Sequence, residues 1–79
     1  MEFTDVQQDL IVAAWATARN GGGIVITDEA IPDAHELAEA GWLERRFQPD
    51  GEMSWHWTRE AELALDVNAL VESTHDRRN

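Results

Sequence analysis

Apart from its carboxylates, this 79-residue chain has few groups suited to acid–base or metal chemistry, and the histidines come first. His35, His56 and His75 lie about 20 residues apart, whereas a zinc site usually draws ligands in close pairs a few residues apart. The tripeptide His35-Glu36-Leu37 leads to Glu39 rather than a second histidine, so it is not the HExxH helix of a metalloprotease. Ser54, His56 and Glu44 would share one face of a hairpin and so have the side chains of a hydrolytic triad. A working triad also needs a pocket and an oxyanion hole, and a flat strand face supplies neither, so these three read as solvated polar residues. The glycines of GGGIVIT, residues 21–27, match neither GxGxxG nor a P-loop and have no lysine nearby; they read as a turn into a short strand. Carboxylates are numerous, but nothing fixes the separation of any pair for glycosidase chemistry. The expectation is a non-enzymatic protein, without metal or cofactor.

The elements that hold these residues follow from composition and periodicity. The length fits one domain over 1–79, with an ordered core at about 4–72 and a frayed tail over 73–79, whose THDRRN ending has no apolar residue. There is no cysteine, so packing alone must supply stability. Sixteen acidic residues face six basic ones, all arginine, for a formal net charge of -10. Such a balance opposes nucleic acid and anionic membranes at long range and favours a basic partner. The absence of lysine suits a GC-rich coding sequence, and an acid-rich halophile surface is a second reading. The amino-terminal MEFTDV lacks a signal peptide's basic region. The longest apolar run, Leu10 to Ala16, is far short of the roughly 18 residues a membrane span needs. Together these predict a soluble, cytoplasmic protein.

Thr4 and Gln7 stand at capping-box spacing ahead of a helix from about 5 to 19. Its apolar stripe runs through Val6, Leu10, Ala13 and Ala14, widened by Ile11, Trp15 and Ala18. Asn20-Gly21 ends it. A strand at 24–26 follows, then a helix over about 28–40 with Pro32 in its first turn and Gly41 as its stop. Two strands, about 42–47 and 53–58, flank Pro49-Asp50-Gly51, a strong turn signal. A last helix opens at Thr58 and lines up Leu63, Val67, Leu70 and Val71.

Pairing Phe47 with Met53 puts Leu43 opposite Trp57, Glu44 opposite His56 and Arg45 opposite Trp55. One hairpin face then carries Leu43, Phe47, Met53, Trp55 and Trp57, with Arg45 among them and near enough to lie over Trp55. The other carries Trp42, Glu44, Arg46, Ser54, His56 and Thr58. Trp55 and Trp57 read as core residues. Trp42, on the polar face, is a lid over helix ends or an exposed contact.

The residues LAEAGWLERR, a Gly-containing turn and WHWTREAELAL together resemble the latter half of winged-helix proteins of the MarR and PadR kind, over about residues 36–65. The resemblance implies a small α+β winged-helix-like domain: helix, short strand, helix, β-hairpin wing, helix. In such regulators the helix before the wing enters the major groove. Here that region carries Asp28, Glu29, Asp33, Glu36 and Glu39 and no Lys or Arg, a charge pattern that repels phosphate. The span from Gly23 to Gly41 is also too short for two helices.

The reading that follows is an acidic protein-binding module. Asp28, Glu29, Asp33, Glu36 and Glu39 would meet a basic partner, with Trp42 as aromatic anchor. In size and charge the chain resembles phage-type accessory inhibitors, including anti-CRISPR and DNA-mimic proteins, whose carboxylates occupy cations meant for phosphates. The alternative is a winged-helix DNA-binding transcriptional regulator, acting as a dimer or with a partner and using Arg45, Arg46 and Arg59, helped by Arg77 and Arg78. A homodimer through the first or last helix is compatible with either.

Overall fold

A computed structural model describes the backbone of residues 3–78 and the side chains of residues 3–73. The fold is α+β, with four helices and one antiparallel hairpin: α1 (Asp5–Ala18), α2 (Ile31–Glu39), β1 (Leu43–Phe47), β2 (Met53–Trp57), α3 (Arg59–Ala64) and α4 (Val67–Arg78).

The capping box expected at the start of α1 is present. Gln7 donates its backbone N–H to Thr4 Oγ1, and Thr4 donates its own to Gln7 Oε1, both at 3.1 Å. The buried face of α1 is set one row round from the expected stripe: Gln7, Ile11 and Ala14 are buried, while Val6 and Ala13 are exposed. A polar residue takes an inner position here because its amide oxygen accepts from Thr4 and its amide nitrogen donates to Glu36. Beyond Ala18 the chain turns through Gly21, whose φ of 75° a side chain would resist.

The strand expected at 24–26 contracts to one bridge, Ile24 to Trp55, closed by N–H···O bonds of 2.8 and 2.9 Å. Ile24 thus lies on the free edge of β2, giving the lateral order Ile24, β2, β1. The acidic segment begins as a single 3-10 turn, Asp28–Ala30, which runs into α2. A Schellman cap ends α2: Trp42 N–H bonds Leu37 O at 2.9 Å and Gly41 N–H bonds Ala38 O at 3.0 Å, with Gly41 at φ 91°.

The hairpin register is the one the alternation predicts, with Leu43 opposite Trp57 and Phe47 opposite Met53. Gly51, at φ 87°, closes the turn with an N–H bond to Gln48 O. Leu43 and Trp55 join Ile11, Ala14, Ile26, Ala34 and Leu37 in the core, with Trp55 fully buried. Two expectations for this face fail at its outer end. Phe47 is 68% exposed. Arg45 stacks on Phe47, 5.4 Å from the ring, and not on Trp55, whose ring meets the edge of His35 at 5.3 Å.

The single last helix expected from Thr58 is two. Leu65 leaves helical geometry (φ -102°, ψ 136°), and Asp66 Oδ1 accepts the N–H of Ala69 to begin α4. The break turns Leu65 toward the core and leaves Leu63, an expected core residue, 77% exposed; Val67 is buried as expected. α4 continues to Arg78, but the side chains from Thr74 onward, including His75, Arg77 and Arg78, lie outside the described residues. Among the described residues no helix is long and apolar enough to cross a membrane.

Candidate functional site

The acidic residues occupy the 3-10 turn and the outer side of α2. Asp28, Glu29, Glu36 and Glu39 are exposed, and Asp33 is half-buried. They are not equivalent. Glu36 Oε2 accepts the amide N–H of Gln7 at 2.7 Å, which ties α2 to the amino end of α1. Asp28, Glu29 and Glu39 form no ion pair among the described residues, where the one salt bridge is Arg46 to Glu44 at 3.3 Å. The Schellman cap at one end and the Gln7 tie in the middle hold this acidic ridge in a fixed shape.

Trp42 is half-buried and lines an open groove of about 650 Å³ together with Phe3, Leu65, Asp66 and Leu70. Its indole N–H is shielded from solvent and has no hydrogen-bond partner. The side chain is therefore a lid over the meeting point of α1, α3 and α4 more than a protruding anchor. Beside it, Thr58 donates its hydroxyl to Gly41 O at 2.6 Å and accepts the N–H of Ala61 at 3.1 Å, which joins the end of α2 to the start of α3.

The three arginines proposed as nucleic-acid contacts do not form one patch. Arg45 and Arg46 alternate to opposite faces of β1, one beside Phe47 and the other on Glu44. Arg46 lies toward the carboxyl end of α1, in a concavity with Ala18, Gly21 and His56. Arg59 stands nearby, in a groove with Trp15, Arg19 and Trp57. Arg19 itself stacks over Trp15 at 4.1 Å.

On the outer hairpin face, Gln48 Nε2 donates to Ser54 Oγ at 2.8 Å, and Ser54 Oγ lies 2.9 Å from His56 Nε2. Glu44 directs its carboxylate to Arg46 and does not complete the row. Ser54 is buried, and Gly23 packs so close to the imidazole that a Cβ there would lie 2.5 Å from Nε2. Burial lowers the His56 pKa below the ordinary 6.5, Arg46 lowers it further, and Glu44 partly opposes them. This set pins the glycine loop to β2. Among the described residues no group of three or more His, Cys, Asp or Glu is arranged to hold a metal ion.

No protein-family model, curated protein or solved structure matches the chain.

Proposed function

We propose that this chain is a winged-helix-like acidic module that binds a basic protein through the Asp28–Glu39 ridge, in the place a nucleic acid would occupy. The observation that carries the reading is that Asp28, Glu29 and Glu39 are exposed and without ion pairs on a segment held at both its cap and its middle. Carboxylates on a backbone fixed in advance bind guanidinium and ammonium groups with little loss of backbone freedom. They also steer a cationic partner toward the ridge. Glu36 sits at the amino end of α1 and Arg19 at its carboxyl end, about 18 Å away along the helix axis.

The winged-helix assignment draws support from the lateral order Ile24, β2, β1, although α2 alone leads into the hairpin where the full motif has two helices. The same order favours the second reading, a DNA-binding regulator. Its groove-facing helix would be α2, and the acids there would meet the phosphates.

The test is capture of cytoplasmic proteins, nuclease-treated, by the wild-type chain and by a variant with Asp28→Asn, Glu29→Gln and Glu39→Gln. The proposal expects a basic nucleic-acid-binding protein that is held at low salt, released at high salt and missed by the variant. Equal capture by both chains would sink the acidic ridge. Recovery of nucleic acid alone before nuclease treatment would favour the regulator.

A further inference from the structure

The carboxyl end of α1 gathers cations in a chain that has few. Arg19 and Arg59 line a groove of about 390 Å³ whose walls include Trp15, Trp57 and Glu62. Neither Arg19 nor Arg59 forms an ion pair among the described residues, although Glu62 lines the same groove. Arg46 lines an adjoining concavity that shares Ala18 and Trp57 with the first. Two indoles and two unpaired guanidiniums thus converge on one recess.

We infer that this groove binds a nucleoside phosphate, its base against Trp57 and its phosphate on Arg59 and on Arg19, which lies over Trp15. The inference is independent of the acidic ridge. Indoles stack on any base, and a guanidinium whose flat face rests on an indole keeps its N–H edge free for a phosphate. Arg19 has that arrangement over Trp15. Glu62 sits between, with Oε2 accepting the Trp57 indole N–H at 2.9 Å. A carboxylate has acceptor capacity beyond one such bond, and the amino and imino groups of a base supply donors. An acidic peptide also offers an anion, but it would set carboxylates against Glu62 and bring no ring to the indoles. The net charge of -10 opposes approach at long range, so stacking and bidentate pairing inside a Debye length of about 8 Å carry the binding.

The chemistry is the same for a free nucleotide and for one unit of a single strand, and an NMR titration separates them. The probes are GMP, CMP, a short single-stranded oligonucleotide and an acidic peptide without aromatic residues. Saturable binding of a mononucleotide, shifting the indole N–H signals of Trp15 and Trp57 and leaving the shielded ones of Trp42 and Trp55 in place, supports the site with a free nucleotide as ligand. The same shifts with the oligonucleotide alone support it with a strand as the source. Arg19→Ala and Arg59→Ala, both at exposed positions, each weaken binding roughly 10-fold while amide spectra stay folded. Binding of the peptide alone, or of no probe, overturns the inference. So does an equal loss from Arg45→Ala, which lies outside the groove and would report only diffuse charge.

Discussion

The side-chain amide of Gln7 donates to Glu36 Oε2 at 2.7 Å while its carbonyl caps its own helix by accepting the N–H of Thr4 at 3.1 Å. One buried glutamine therefore fixes both the start of α1 and the position of the acidic helix. Gln7→Ala is expected to cost about 1–3 kcal/mol, since it removes half the capping box and one interhelical bond. Glu36→Gln keeps an oxygen acceptor for Gln7 and should stay within about 0.5 kcal/mol of wild type. Urea unfolding curves check both. An equal loss from the two substitutions would mean that charge on Glu36, and not the bond, holds the helices. For this reason the binding test neutralises Asp28, Glu29 and Glu39 and leaves Glu36 alone.

Gly23 meets the flat of the His56 ring, with a Cβ at that position only 2.5–2.8 Å from three ring atoms. The imidazole is also held by Ser54, so it cannot turn away without losing that 2.9 Å contact. Gly23→Ala is expected to destabilise by about 1–3 kcal/mol through overpacking. The same change made in a His56→Ala background should cost much less, because the clashing ring is gone. A double-mutant cycle measures the difference. Additive losses would show that the backbone at residue 23, and not the ring, rejects the methyl.

What the sequence discloses divides along physical lines. The hairpin register was readable because a slip of one residue would expose Leu43 and Trp55 and bury Glu44, and because Pro49-Asp50-Gly51 fixes the turn. The caps were readable because they are local, as at Thr4, Gly41 and Thr58. The inner face of α1 was readable in part: Ile11 and Ala14 are buried as the stripe predicts, but burial of Gln7 depends on a carboxylate 29 residues away. The break before α4 was missed for a different reason. Leu63 and Val67 keep helical spacing, so periodicity carries straight through Asp66, whose capping of Ala69 was the signal to weigh. The Trp15–Arg59 groove depends on α1 packing against β2, and no pattern in the chain announces that Arg19 and Arg59 meet across it.

Asp66 separates two helices that would otherwise merge. Its carboxylate accepts the Ala69 N–H at 3.2 Å and its carbonyl accepts that of Leu70 at 3.3 Å. Asp66→Ala loses the side-chain cap and should cost about 0.5–2 kcal/mol. Leu63→Ser, on the 77% exposed position, should fall within about 0.5 kcal/mol of wild type. Were α3 and α4 one continuous helix in solution, the ranking would reverse. Thermal melts of the two variants decide it.

His56 gives the stability of the protein an acid-side dependence of definite sign. Its folded pKa is held below the ordinary 6.5 by burial first and by Arg46 second, against the smaller upward pull of Glu44. In the unfolded chain the imidazole takes up its proton near 6.5, and in the folded protein only at lower pH. The unfolded state therefore binds more protons between those two values, and stability rises with pH across that window. The contribution is fully present above pH 6.5 and is lost as pH falls through the folded pKa. Unfolding free energies of wild type and His56→Gln, measured from pH 7.5 down to about pH 5, isolate this group from the carboxylates and from the other histidines. The difference between the two proteins should shrink on the acid side as wild type loses its advantage. A difference that stayed constant, or grew toward acid, would place the His56 pKa at or above its unfolded value. The ring would then be a surface residue resting on Gly23, and not the half-buried link that holds the glycine loop to β2.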